Sequence, residues 1–162
     1  MNPNFNIPHA ALKITKIHPD AKLPRVATPE SIGADVYAYL RTESGRENKM
    51  VIPPGTTRMV PTGIVALAQP PFSILVCSRS GLAAQRTLFV TNSPGVVDPD
   101  YRGEIKILLH NAGTENQWVA HNDRVAQLIL VPIPYPTVSE SELDLRLLDS
   151  HRGEDGFGST GA

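Results

Sequence analysis

Apolar and polar residues alternate along most of this chain with the two-residue period of β-strands. The alternation predicts strands over residues 12–17, 34–40, 63–68, 73–77, 88–92, 104–109 and 124–131. Turn-forming sequences such as Pro53-Pro54-Gly55 and Ser93-Pro94-Gly95 separate these segments. Many short strands with frequent turns are typical of an all-β jelly roll or distorted β-barrel, which is the fold class that we expect.

The spacing of proline and the change of pattern near the C-terminus predict one domain with an arm. Fifteen prolines are scattered over 162 residues, which leaves little room for long helices. We place the jelly-roll domain at residues 1–133 and an extended C-terminal arm at 134–162. Within the arm, the alternation of Leu143, Leu145 and Leu147 favours a strand over the short helix that a capping box at 139–142 indicates. The polar segment 41–49 is interpreted as a mobile loop without an assigned role.

Charge and cysteine content narrow the possible partners. With 15 basic and 16 acidic residues the net charge is −1, so the broad positive field that duplex DNA binding needs is absent. We therefore expect no nucleic-acid partner, and any phosphate site must be local. The single cysteine, Cys77, lies in an apolar run, which favours a buried inert thiol and a reducing compartment. No long apolar segment or leader is visible, so we expect no membrane association and a cytoplasmic location.

The glycine-rich segment 152–161 combines side chains that suit a nucleotide. Arg152 can pair with phosphate, Phe157 can stack on a base, and Ser159 and Thr160 can bind oxyanions together with free glycine N–H groups. Fixing the backbone of so many glycines costs conformational entropy. The alternative to a nucleotide-binding role is therefore a disordered C-terminus. The Gly-x-Gly-x-x-Gly spacing here is not a dinucleotide fingerprint, because it follows no strand and opens no helix.

Two internal segments also contain candidate chemistry. The turn-rich stretch around Asp98 and Asp100 could bind a cation or supply a general base, although two solvated aspartates in a turn are an equally simple interpretation. Arg79-Ser80-Gly81 follows a predicted strand and suits a phosphate. The five histidines have no metal-ligand spacing, so no zinc site is expected.

Taken in order, five segments resemble the five motifs of the homotrimeric dUTP pyrophosphatase (dUTPase) family. They are residues 31–38, 79–83, 92–104, 123–129 and 152–161. The resemblance implies a jelly-roll homotrimer with active sites at its subunit boundaries. It also implies Mg²⁺-assisted hydrolysis of dUTP to dUMP and pyrophosphate, by attack of water on the α-phosphorus. Such a reaction limits uracil incorporation into DNA and supplies dUMP for thymidylate synthesis.

The resemblance assigns a role to each matching residue. Asp98 is implied as the general base, and Asp35 as the metal ligand that acts through water. The implied contacts to the phosphates are Arg79, Ser80, Gly81 and Gln127. The resemblance implies that uracil is read by Asn92 and the hairpin backbone including Gly95 and Val97, while Tyr101 packs against deoxyribose. It also implies that the arm closes with Phe157 on the base and with Arg152, Gly158, Ser159 and Thr160 on the phosphates.

Some positions depart from the family pattern. Ile32 stands where alanine is usual. Asn122 replaces a glycine, and asparagine is the substitute that best tolerates a left-handed backbone conformation. Glu154 and Asp155 add negative charge beside the expected triphosphate and are expected to weaken closure of the arm.

Two alternatives remain open. One is a related dCTP deaminase-like enzyme, which the intact run from Val97 to Tyr101 disfavours. The other is a dUTPase-like regulatory protein that need not turn over, which the intact Asp35, Asp98 and Tyr101 disfavour.

Overall fold

A computed structural model describes residues 12–41 and 44–140. The strand or helix expected near residues 139–147 and the glycine-rich segment 152–161 lie wholly or largely outside the described residues. The described elements, in chain order, are β1 Leu12–Lys16, β2 Arg25–Val26, β3 Ala34–Tyr37, β4 Lys49–Ile52, β5 Thr57–Pro61, β6 Ile64–Ala68, β7 Phe72–Cys77, α1 Ser80–Arg86, β8 Leu88–Val90, β9 Gly95–Val97, β10 Lys106–Asn111, β11 Gln117–Ala120 and β12 Arg124–Pro132.

The strands pair antiparallel in four sheets. The largest has the order β2-β3-β12-β7-β9, and a second has the order β5-β10-β8, while β1 pairs with β6 and β4 with β11. The long strand β12 runs between β3 and β7, although it follows both by many residues in the chain. Such non-sequential neighbours are the crossovers of a jelly roll, and the predicted all-β class is confirmed.

The core is built from the inward-facing residues of these sheets. Strand β10 alternates strictly between buried and less buried residues, and Ile107 and Leu109 are fully buried. Ile52, Ile64 and Leu88 add fully buried side chains from three other strands. Each such side chain contributes about 1.5–3 kcal/mol relative to an exposed one, so the alternation itself supplies the main driving force for the fold.

The structure moves some element boundaries relative to the sequence prediction. The strand predicted at 104–109 begins only at Lys106, because the Glu104 carboxylate accepts hydrogen bonds from the backbone N–H groups of Thr62 and Gly63 at 3.1 and 2.8 Å. The strand predicted at 34–40 ends at Tyr37, and the N–H of Ala38 then donates to the carbonyl of Asp123.

Several elements escaped the sequence prediction. Strands β2, β4, β5 and β9 are short or carry exposed side chains, so they lack a clear alternation. The helix α1 has seven residues, too few for a helical period to stand out. It ends at Thr87, which has a left-handed φ of 52°. No helix within the described residues is long and apolar enough to cross a membrane.

Candidate active site

The first candidate cleft has a volume of about 330 Å³ and is called the arginine cleft here. It lies where β3, β12 and the start of α1 meet. Five of the predicted site residues line it, together with Arg124 and Ile32: they are Asp35, Arg79, Ser80, Gly81 and Gln127. Asp35 and Gln127 are directly opposite each other on β3 and β12, and Cys77 on β7 is opposite Gln127, so the strand register brings them together.

Asp35 holds two guanidinium groups at the arginine cleft. Its Oδ1 accepts a hydrogen bond from Arg79 Nε at 2.7 Å, and its Oδ2 accepts one from Arg124 Nη1 at 3.2 Å. The Asp35 side chain is only 14% exposed, so these two charged hydrogen bonds hold it where water screens them little. Arg79 Nη1 also donates to the Arg124 carbonyl at 3.3 Å. The arrangement presents two oriented cations to the cleft.

Gly33 allows Gln127 its position in the arginine cleft. Gln127 Nε2 donates to the Ser78 carbonyl at 2.9 Å, which directs its Oε1 towards β3. A Cβ atom on residue 33 would lie 2.1 Å from that Oε1, which is far inside van der Waals contact. Gly33 lies in the first of the five motifs, and this close approach explains why a glycine suits the position.

The second candidate cleft has a volume of about 430 Å³ and is called the hairpin cleft here. The predicted residues that line it are Asn92, Gly95, Val97, Asp98 and Tyr101. Strand β9 pairs with β7, and a Cβ atom on Gly95 would lie 2.9 Å from Asn92 Nδ2, so this glycine makes room for the amide. The N–H of Ser78 donates to Ser93 Oγ at 3.1 Å, which ties the hairpin to the end of β7.

A tight turn places Asp98 and Tyr101 side by side at the hairpin cleft. The Tyr101 N–H donates to the Asp98 carbonyl at 3.0 Å, and the Tyr101 hydroxyl donates to the Glu104 carbonyl at 3.0 Å. A Cβ atom on Gly103 would lie 2.3 Å from the Tyr101 hydroxyl oxygen, so glycine is needed here too. The Asp98 carboxylate is exposed and free to contact water, which is what a general base requires.

Within the part of the chain that the structure describes, the two clefts share no lining residue. The described site residues are therefore brought together in two groups and do not form a single cleft. Residues 152 and 157–160, also predicted to contact substrate, lie outside the described residues. Their roles, like those of the residues in both clefts, stay predictions.

The donor set suits a hydrated magnesium ion. Asp35 is the only carboxylate that lines the arginine cleft, and residues 12–41 and 44–140 contain no cluster of three or more His, Cys, Asp or Glu that could hold a metal. A protein cage for a cation is therefore absent from the described part of the chain. Mg²⁺ usually keeps several waters and binds through one or two carboxylates plus substrate phosphates, and Asp35 fits such a role.

Sequence reasoning missed a brace between α1 and β11. Arg86, at the end of α1, donates through Nε to Gln117 Oε1 at 3.2 Å and through Nη2 to the Trp118 carbonyl. Its Nη1 lies 3.9 Å from Asp123 Oδ2, and that oxygen also accepts the Ala120 N–H at 2.9 Å. One guanidinium thus ties the helix that begins at Ser80 to the turn that precedes Arg124.

The turn before Arg124 and the burial of Cys77 test two expectations. Asn122 has a left-handed φ of 68°, which confirms the expectation that asparagine replaces glycine in such a conformation. Cys77 is partly buried, and desolvation by burial raises the pKa of its thiol, which agrees with an unreactive cysteine.

Comparison with known proteins identifies the family. The fold is similar to that of a solved dUTPase of Staphylococcus bacteriophage 80alpha, which aligns with a TM-score of 0.75 at 21% identity over 94% of this chain and 99% of that one. The dUTPase family model matches residues 19–161. The chain belongs to the dUTPase family.

Curated relatives agree with this assignment. The deoxyuridine 5'-triphosphate nucleotidohydrolase of Maricaulis maris is 42% identical over 139 residues, which cover 86% of this chain and 87% of the relative. That of Anaplasma marginale is 40% identical over 139 residues, which cover 86% of this chain and 88% of the relative. The family resemblance drawn from the five motifs is thereby confirmed.

Proposed function

We propose that this chain hydrolyses dUTP to dUMP and pyrophosphate, with Asp98 as the general base. The observation that carries the proposal is the hairpin cleft, which the exposed Asp98 carboxylate lines together with Tyr101 and the Asn92 amide. Family membership and relatives named for dUTP hydrolysis support the same reaction. The expected consequence in the cell is less uracil in DNA and a supply of dUMP.

The chemistry assigned to Asp98 is proton removal from water. The carboxylate orients a water molecule and accepts its proton as the oxygen attacks the α-phosphorus. The bond from that phosphorus to the bridging oxygen breaks, and the electron pair leaves with pyrophosphate. Little covalent chemistry falls to the protein, so positioning and charge stabilisation supply most of the rate.

The hairpin cleft is proposed to select the nucleoside. Fixed backbone groups from Gly95 to Val97 and the Asn92 amide would match the donor and acceptor pattern of uracil. Cytosine presents an amino donor where uracil has a carbonyl acceptor, so a fixed partner would be left unpaired. The Tyr101 ring, braced by its hydroxyl on Glu104, would leave no room for a 2′-hydroxyl.

The arginine cleft is proposed to bind the triphosphate. Arg79, Ser80, Gly81 and Gln127 would donate to phosphate oxygens. Asp35 would contact Mg²⁺ through its waters, and the bound ion would neutralise charge on the phosphates. A structure of a variant dUTPase from phage phi11 of S. aureus, which aligns with a TM-score of 0.71 at 18% identity, is described as coordinating a structural Mg(II) ion.

The separation of the clefts supports a homotrimer with shared sites. We propose a jelly-roll domain at 1–133 and an arm at 134–162. The hairpin cleft of one subunit would face the arginine cleft of the next. Arg152, Phe157, Gly158, Ser159 and Thr160 of the arm would close over the substrate, and the enzyme would act in the cytoplasm.

A two-product assay tests the function. The protein is incubated with Mg²⁺ and either dUTP or dCTP, and pyrophosphate and ammonia are measured separately. We expect pyrophosphate from dUTP alone. Ammonia from dCTP would instead indicate a deaminase, and tight dUTP binding without product would indicate a binding protein.

Asp98→Asn tests the base within the same assay. The variant should fold normally and lose about 10²–10⁴ in kcat, the usual contribution of a positioned general base. Asp100 is also exposed and lies two residues away, so Asp100→Asn is the matched control and should retain most activity. Near-normal turnover by a correctly folded Asp98→Asn variant would exclude the assigned role.

A further inference from the structure

Arg25 stands in the same cross-strand row as two residues of the arginine cleft. On β2, Arg25 is directly opposite Asp35 of β3, and Asp35 is directly opposite Gln127 of β12. Directly opposed residues of antiparallel strands project from the same face of the sheet, with Cβ atoms about 5 Å apart. The side chain of Arg25 therefore leaves the sheet on the face that carries the arginine cleft.

Arg25 has no partner there, although a carboxylate is close by. Both oxygens of Asp35 already accept hydrogen bonds from Arg79 and Arg124. Within residues 12–41 and 44–140, the exposed Arg25 side chain makes no hydrogen bond and no ion pair. Its five N–H donors are all available to a ligand.

A third, smaller cleft connects Arg25 to the arginine cleft. It has a volume of about 240 Å³ and is lined by Arg25, Ala27, Asp35, Tyr37 and Arg124. Ala27, Asp35 and Arg124 line both clefts, so the two are continuous. The space beyond Arg124 is therefore an extension of the proposed triphosphate site.

The charges around these joined clefts are strongly positive. Among the described residues that line them, Arg25, Arg79 and Arg124 supply three positive charges against the single negative charge of Asp35, an excess of two. Lys22 Nζ lies 5.2 Å from the centre of the Tyr37 ring and adds another cation at the edge of the smaller cleft. The whole chain has a net charge of −1, so this concentration of positive charge is local.

We propose that Arg25 binds the far end of the polyphosphate, as the terminal phosphate of the substrate and then as part of released pyrophosphate. The identification of the ligand as a triphosphate rests on the proposed function. Arg79 and Arg124 each donate one N–H group to Asp35, whereas the planar guanidinium of Arg25 can donate to two phosphate oxygens at once. Arg25 would thus recognise chain length: it contacts a triphosphate or pyrophosphate and does not reach a monophosphate.

Calorimetry with inorganic pyrophosphate and with dUMP tests the proposal. Arg25→Gln should bind pyrophosphate about tenfold more weakly in the presence of Mg²⁺, the scale of one lost charge-assisted contact. It should bind dUMP with unchanged affinity and show a raised KM for dUTP with a nearly unchanged kcat. Arg25→Lys should recover part of the loss, because it keeps the charge without the fork.

Arg58→Gln provides the matched control, because Arg58 is an exposed strand arginine that lines neither of the joined clefts. If Arg25→Gln binds pyrophosphate as well as Arg58→Gln does, Arg25 is not a ligand contact. Equal weakening of pyrophosphate and dUMP binding by Arg25→Gln would indicate damage to the fold and also overturn the proposal. A third outcome is that the wild-type protein does not hydrolyse dUTP while its pyrophosphate affinity still depends on Arg25. That result would refute the proposed function and still support the role of Arg25 in binding pyrophosphate.

Discussion

At the scale of single residues, the candidate site depends on side chains that hydrogen bonds to other protein groups hold in place. Asp35 orients Arg79 and Arg124, and Ser78 orients Gln127 through its carbonyl. None of these contacts requires a ligand, so the donors are arranged before substrate arrives. Preorganised donors lose little freedom on binding, which favours both affinity and rate.

Gly33→Ala should therefore damage phosphate binding more than stability. The new Cβ atom would force Gln127 Oε1 away from its present position, only 2.1 Å distant, and the bond to the Ser78 carbonyl would break. Because the displaced group is the end of a flexible side chain, the fold should survive. We expect about a tenfold rise in the Kd of pyrophosphate, the scale of one lost hydrogen bond to a charged group.

A double variant separates the role of Gln127 from a general disturbance by Gly33→Ala. If residue 33 acts through Gln127, then Gly33→Ala combined with Gln127→Ala should bind pyrophosphate no worse than Gln127→Ala alone. Simple addition of the two losses would show that the glycine serves some other purpose.

His121 should make the stability of the fold depend on pH. It is buried, and its Nδ1 accepts the Leu40 N–H at 3.1 Å, so the neutral ring fits the fold. Desolvation by burial lowers the pKa of His121, with Arg41 contributing in the same direction; Glu47 and Asp20 oppose this with smaller effects. As pH falls through the unfolded pKa of about 6.5, the unfolded chain binds this proton first, so stability falls.

Urea unfolding at several pH values between 8 and 5.5 measures this contribution. His121→Asn keeps an acceptor for the Leu40 N–H and removes the titrating group. The variant should lose less stability than the wild type over this range, even if it is less stable at pH 8. Parallel stability curves for the two proteins would rule out His121 as the source of the pH dependence.

At the scale of elements, the short helix α1 is held by its last residue. Arg86 contacts Gln117, the Trp118 carbonyl and Asp123, so it links α1 to the turn before Arg124. Leu82 of the helix packs against the core but is only partly buried, and no residue of the helix is fully buried. The guanidinium is thus a positioning group for Ser80 and Gly81 at the other end of the helix.

Arg86→Gln should weaken binding of the phosphates without altering binding of the nucleoside. Losing the brace should cost about 1–3 kcal/mol of stability and raise the Kd of pyrophosphate several-fold, while the Kd of dUMP changes little. Arg86→Lys should rescue only part of this, because one ammonium group cannot reach acceptors on both sides. If pyrophosphate affinity matches that of the Arg58→Gln control, the brace serves stability alone.

The elements also explain how far sequence reasoning reached. Strands such as β10 and β12 were predictable because their buried residues alternate, whereas β2 has two exposed residues and gives no pattern. The hairpin residues from Asn92 to Tyr101 are contiguous, so they could be proposed as one group. Asp35, Arg79 and Gln127 come from three distant segments, and only the family resemblance joined them.

Residues whose contribution depends on cross-strand pairing escaped sequence reasoning altogether. Arg25 gains its place from its register with Asp35, and Glu104 from the backbone of Thr62 and Gly63. Nothing local in the sequence around either residue distinguishes it from other charged residues near a turn. The positions of partners distant in the chain were needed to see what they do.

At the scale of the whole molecule, each cleft carries exposed apolar side chains. Ile32 lines the arginine cleft and is 80% exposed, while Met59 and Val96 line the hairpin cleft at 55% and 66%. Large exposed apolar residues beside a polar cleft are a common mark of an interface. The clefts are therefore suited to contact a neighbouring subunit, as the proposed trimer requires.

Mixing two inactive variants tests whether the site is shared between chains. Asp98→Asn disables the hairpin cleft and Arg79→Gln disables the arginine cleft, and each variant alone should be inactive as a trimer. If one site takes its two clefts from different chains, trimers refolded from an equal mixture should recover about a quarter of the wild-type activity. Each site then has an even chance of an intact hairpin cleft and, independently, an even chance of an intact arginine cleft. Light scattering checks that the refolded mixture is trimeric. The control is the same mixture of the two folded variants, without unfolding and refolding, so that their chains do not exchange. A refolded mixture no more active than its components would show that each chain builds its whole site alone.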